Sequence, residues 1–150
     1  MLKNIATLLL LSSLTLANAV TITANSTNIL TQYSTDAGCK KILQELRIDN
    51  TCSEVRQIVN AFDRDPVMVA TLLHESNLNR NARNVNKNGS IDYGPLQLNS
   101  GYWVIDGGID LTIKQGIECY KDRGYGCWAS YTNGKYLTRM ADAKLLLKNI

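Results

Sequence analysis

Histidine is almost missing from this 150-residue chain, which has only His74. Its four cysteines, Cys39, Cys52, Cys119 and Cys127, stand at C-x12-C and C-x7-C spacings, with no C-x2-C pair. That donor set excludes a zinc site of the usual kind, and no metal or other cofactor is expected. An excess of one charge is also lacking. Sixteen Lys and Arg against 13 Asp and Glu leave a formal charge of +3. So mild a surplus is compatible with an anionic polymer but too weak to indicate nucleic acid. There are no internal repeats and no low-complexity linker, and only the N-terminal segment approaches the apolarity of a membrane span.

That segment carries Lys3, an apolar run from Ile5 to Leu16, and then Ala17-Asn18-Ala19. A positive start, a short apolar stretch and small residues at a cleavage point predict a secretory signal peptide over residues 1–19. The run is too short to span comfortably, so no stable membrane span is expected after cleavage, and the product is periplasmic or secreted. Removing Lys3 lowers the charge to +2 (16 − 1 − 13). About 130 residues then remain, enough for one domain with one core. Residues 20–35, rich in Thr, Ser and Asn, read as a flexible lead-in to a domain over 36–150. In an exported chain, four cysteines suggest two disulfides, and three connectivities are allowed. Local pairs, Cys39 with Cys52 and Cys119 with Cys127, are favoured. A bridge from the first helix to the Cys119 helix is equally allowed by sequence.

Helical spacing is legible at Ile42, Leu43 and Leu46 within 37–47. Thr51-Cys-Ser-Glu54 predicts a capping box, followed by Val55, Ile58, Val59 and Phe62 on one face. Asp65-Pro66 is a second start signal, and the helix it opens is apolar nearly all round to about Ser76. It should be buried and central. The next stretch, 77–90, is rich in asparagine and carries the Asn88-Gly89 turn signal, so a small hairpin or sheet is expected. Asp110 is expected to cap a helix reaching about Arg123, with Ile113, Ile117 and Tyr120 inward. A terminal helix is expected over 136–148, with Met140, Ala141, Leu145 and Leu147 as its apolar set. The fold class is therefore α+β, mostly α.

Glu75 falls in the last turn of the buried helix. Apolar packing withholds water from a carboxylate there, and the helix C-terminus adds partial negative charge. Both favour the protonated acid, the form a general acid needs. Asp92 follows seventeen residues later, beyond the turn, where a strand can face a helix end across a cleft. A lone Glu and Asp at this spacing carry little information, but the residues around them carry more.

The segments Glu75-Ser-Asn-Leu-Asn-Arg-Asn-Ala and Asn88-Gly-Ser-Ile-Asp-Tyr-Gly-Pro-Leu-Gln-Leu-Asn-Ser-Gly-Tyr-Trp103 resemble the lysozyme superfamily. Over 29 ungapped residues the chain is similar to chicken-type lysozymes, with Glu75 and Asp92 on the two catalytic carboxylate positions. It also resembles the soluble lytic transglycosylases, through Glu75-Ser76 and the box Gly94-Pro95-Leu96-Gln97, where Leu-Met is usual in place of Pro95-Leu96. Trp128-Ala-Ser-Tyr131-Thr-Asn-Gly134 resembles their Tyr-Asn-x-Gly motif, with Thr132 standing where asparagine is usual.

The resemblance implies a lysozyme-like fold with its small sheet between helices. It also implies cleavage of peptidoglycan glycan strands between N-acetylmuramic acid and N-acetylglucosamine, with Glu75 as general acid. The signal-peptide style and short length resemble the specialised transglycosylases that accompany secretion or conjugation machines. With the Tyr131 motif and the envelope setting, the resemblance makes formation of 1,6-anhydromuramic ends the favoured outcome. Retaining hydrolysis with Asp92 as nucleophile or stabiliser is the alternative. A non-catalytic glycan-binding assembly protein is a second alternative. For substrate contacts, the resemblance and sugar chemistry together nominate six residues. Ser76 would orient the acid or the substrate, and Tyr131 would hydrogen-bond Glu75. Gln97 and Asn99 would offer amides to sugar groups, and Tyr102 and Trp103 would offer flat faces.

Overall fold

The computed structural model describes residues 36–105 and 107–150; the expected signal peptide and lead-in lie outside them. Helix α1 (36–45) buries Cys39, Ile42 and Leu43 and ends where Arg47 turns left-handed at φ 56°. Helix α2 (Cys52–Ala61) opens on the expected capping box. The Glu54 N–H donates to the Thr51 hydroxyl, and the Thr51 N–H donates to the Glu54 carboxylate. Val55, Ile58, Val59 and Phe62 are all buried, as their spacing predicted. The disulfide Cys39–Cys52 staples α1 to the start of α2, and Cys119–Cys127 closes a second local loop.

Helix α3 (Pro66–Ser76) begins on Asp65, whose carboxylate accepts from the Val67 N–H at 2.9 Å, with Pro66 at the first helical position. Six consecutive residues, Met68 to Leu73, are buried, so this is the central helix. Apolar side chains on every face have to be covered from every side. Neighbours come from three later pieces: helix α5 (Ala129–Thr132), a 3-10 turn (Lys135–Arg139) and helix α6 (Met140–Asn149). Asn77 ends α3 in a left-handed cap at φ 55°.

Three short strands follow, β1 (Arg83–Val85), β2 (Ile91–Tyr93) and β3 (Leu98–Asn99), antiparallel in the order β1-β2-β3. Gly89, at φ 83°, makes the β1–β2 turn where the Asn88-Gly89 pair predicted one. The register sets Asn84 opposite Asp92, and Asp92 opposite Asn99.

Helix α4 (Gly108–Arg123) departs from expectation at its start. Gly107 is the capping residue, without a side-chain bond, and Asp110 lies inside the first turn. A carboxylate there still faces the positive end of the helix dipole, and it also accepts from Gln57 at 3.4 Å. The buried face of α4 is Gln115, Gly116 and Cys119, while Ile113, Ile117 and Tyr120 are only partly buried. The reason is close approach. A Cβ at Gly116 would collide with the buried Leu96 side chain, so the smallest residue faces the core and the isoleucines flank it. The C-terminus holds a similar shift. Residues 135–139 form the 3-10 turn rather than α-helix, which rotates α6 so that Ala143 and Leu146 are buried while Ala141 and Leu145 are exposed. No helix among the described residues is long and apolar enough to cross a membrane.

Candidate active site

A cleft of about 240 Å³ opens between the end of α3, the sheet, and the last turn of α4. Glu75 and Asp92 both line it, together with Gln97, Asn99, Tyr102 and Trp103. Cys119, Arg123, Cys127, Trp128 and Ala129 line it as well.

Glu75 is half-buried. Its Oε1 accepts the backbone N–H of Ser130 at 2.7 Å, and this is the only hydrogen bond to the carboxyl among the described residues. Three contacts hold Ser130 there. Its hydroxyl donates to the Thr71 carbonyl, its own helix α5 packs on α3, and the preceding Trp128 is buried with Nε1 bonded to the Leu96 carbonyl at 2.8 Å. The carboxyl is thus held through one oxygen, Oε1.

Asp92 sits at the middle of the three-stranded sheet and is held from both neighbours. Asn99 Nδ2 donates to Oδ1 at 2.7 Å, and Asn84 Nδ2 donates to Oδ2 at 3.4 Å. These partners follow from register, since a carboxylate on β2 meets the side chains directly across on β1 and β3. Asn99 also donates to the Ser90 hydroxyl and accepts from the Gly101 N–H. The sequence gives Asn99 a sugar-facing role, whereas the structure engages its amide in orienting Asp92.

The other expected contacts divide. Tyr102 is 79% exposed and Trp103 is partly buried, and both line the cleft. Gln97 lines the cleft, but its amide donates to the Gly94 and Ala82 carbonyls and so also braces the loop into β3. Ser76 does not line the cleft. Its hydroxyl donates to the Pro95 carbonyl at 2.6 Å and ties the end of α3 to that same loop.

The Tyr131 expectation needs correction: Glu75 is bonded by the backbone of Ser130, one residue before, and not by the Tyr131 hydroxyl. The Tyr131 ring is stacked between Tyr125, at 4.5 Å, and Tyr136, at 5.1 Å. Tyr125 in turn donates to the Asp65 carboxylate, the N-cap of α3. That bond, reinforced by burial, raises the Tyr125 pKa well above the ordinary phenol value.

Three residues of the site were not singled out from sequence. Ser130 acts through its backbone, so its side chain gives no signal. Asn84 was accessible in principle, because a turn centred on 88 pairs 84 with 92. Arg123 read only as the end of a helix. Among the described residues, no group of three or more metal-ligating side chains gathers.

Comparison with known proteins places the chain among lysozymes. It is 30% identical to lysozyme c-1 of Anopheles gambiae over 95 residues, covering 51% of this chain and 68% of that one. It is 35% identical to lysozyme C of Pelodiscus sinensis over 85 residues, covering 43% and 65%. Over 39 residues it is 54% identical to lysozyme C of Ortalis vetula, a match that spans only 30% of that relative. No family model matches the chain, and no solved structure matches it.

Proposed function

Because this chain belongs to the c-type lysozyme family, we propose that it is a muramidase. It would hydrolyse the β-1,4 bond between N-acetylmuramic acid and N-acetylglucosamine in peptidoglycan. Glu75 protonates the bridging oxygen, Asp92 meets the cation that develops at the sugar carbon, and water completes a retaining reaction. These roles come from the family pattern. What supports them here is one observation above the rest: the two carboxylates share a cleft in different settings. One is at the end of a buried helix, held by a single backbone N–H, and the other is in a sheet between two amides. Two carboxyl groups in unlike surroundings suit the split roles of acid and nucleophile.

Hydrolysis is preferred over the 1,6-anhydro outcome. The transglycosylase reading rested on the motif around Tyr131 and on the envelope setting, and the relatives that the chain matches are lysozymes. Asp92, which the transglycosylase chemistry does not require, is the better-braced carboxylate. Export fits the same proposal, since two disulfides suit an oxidising compartment and the substrate lies outside the cytoplasm.

Digestion of purified sacculi tests the proposal, with products read by mass spectrometry for the parent and for Glu75→Gln. Reducing muramyl ends from the parent, and none from the variant, are expected. Anhydro ends would restore the transglycosylase reading. Equal wall clearance by the variant would remove Glu75 from the chemistry, and binding without cleavage by the parent would leave a glycan-binding protein.

A further inference from the structure

We propose that Arg123 selects anionic glycan strands by pairing with carboxylates on the peptide stems of muramic acid; this rests on the muramidase reading of the same cleft. Among the described lining residues Arg123 is the only cation, and it shares the cleft with two carboxylates, Glu75 and Asp92. A cleft for a neutral sugar polymer needs amides and ring faces but no guanidinium. Two acidic groups alone would repel a strand decorated with carboxylates. A cation among the lining residues offsets that repulsion.

The guanidinium is available for this task. Its Nε meets the carboxylate of its sequence neighbour Asp122 at 3.2 Å, and the side chains are 63% and 74% exposed. An ion pair so open to water is weak. The two Nη atoms bond to nothing else among the described residues, which leaves the planar fork that matches a carboxylate. Position is better fixed than the side chain. Arg123 is the last residue of α4, one turn beyond Cys119, and the Cys119–Cys127 bridge ties that turn to the segment bearing Trp128 and Ser130. Favourable interaction with the helix dipole does not account for it alone, because Lys121 serves that end of α4 without lining the cleft.

The test uses one set of glycan strands in two forms, with stem carboxylates free and with the same carboxylates amidated. For the parent, KM should be lower on the free form by about fivefold, the size of an exposed ion pair, and added salt should erode the difference. Arg123→Gln should reduce the ratio of the two KM values to about one, and Arg123→Lys should restore part of it. A parent without preference, or a preference that survives in Arg123→Gln, overturns the inference while leaving the muramidase reading intact. A parent that cleaves neither form overturns both. Thermal midpoints of the variants separate a selective effect from a folding defect, since lost stability with an unchanged KM ratio would mark Arg123 as structural and sink the proposal.

Discussion

The backbone N–H of Ser130 donates to Oε1 of Glu75 at 2.7 Å, across 55 residues of chain. The bond makes α5 a support for the Glu75 carboxyl, and α5 is itself held by Trp128. Replacing Trp128 with Phe keeps most of the ring but leaves the Leu96 carbonyl without its donor in a buried setting. A loss of about 1–3 kcal/mol is expected, together with a lowered kcat as Ser130 shifts. Urea unfolding and turnover on the same preparation check both effects.

Asn99 and Asp92 form the corresponding unit in the sheet. Asn99→Ala removes the amide that aligns Oδ1 and frees the Ser90 and Gly101 contacts. We expect kcat to fall by about tenfold or more, as is typical when orientation at a reacting group is lost, with stability lowered by only about 1 kcal/mol. An Asn99→Ala enzyme that matches the parent in kcat would show that Asp92 needs no such brace.

Tyr125 links pH to stability. Its folded-state pKa is raised by the bond to Asp65 and by burial. The folded state therefore favours the protonated phenol. Its contribution is fully present below the unfolded value of about 10 and is lost as pH rises above it. Tyr125→Phe should lower stability at neutral pH by about 1–2 kcal/mol and flatten the decline in alkali. Denaturation midpoints on either side of about pH 10 provide the comparison.

The bridge Cys119–Cys127 spans a separation of 8 residues. Chain-entropy reasoning assigns a loop of that size about 2.5 kcal/mol. Cys119→Ser with Cys127→Ser should cost about that much, and it should cost more in activity than the Cys39–Cys52 pair, since only the former lines the cleft. Mild reduction followed in parallel by activity and circular dichroism would show activity falling first.

Where the chain obeys local rules, the sequence was a good guide. The Thr51 capping box, the Asp65-Pro66 start and the Asn88-Gly89 turn each depend on residues within a few positions of one another, and each is found. The carboxylates were legible through the resemblance, and the register then explains why Asn84 and Asn99 flank Asp92. The misreadings share a cause. Which face of α4 turns inward depends on how closely Leu96 approaches Gly116, and which face of α6 does depends on a 3-10 turn before it. Tyr131 drew attention through the motif resemblance, but the bond to Glu75 comes from a backbone N–H, that of Ser130, with no residue-specific mark. Long-range packing and main-chain donors leave no periodic trace.

Asn77 gives helix α3, which bears Glu75, an additional property. Its amide donates to the Leu46 and Arg47 carbonyls, and its carbonyl oxygen accepts from Arg139, so one side chain gathers segments 31 residues before it and 62 residues after it. Contacts so remote along the chain form late, because large loops must close first. During synthesis, Glu75 therefore emerges well before the partners that will steady it. On the proposed reading of Glu75, cutting should require the chain at least through Ser130 and Arg139, and a polypeptide released before them would be inert whatever helices it had already formed.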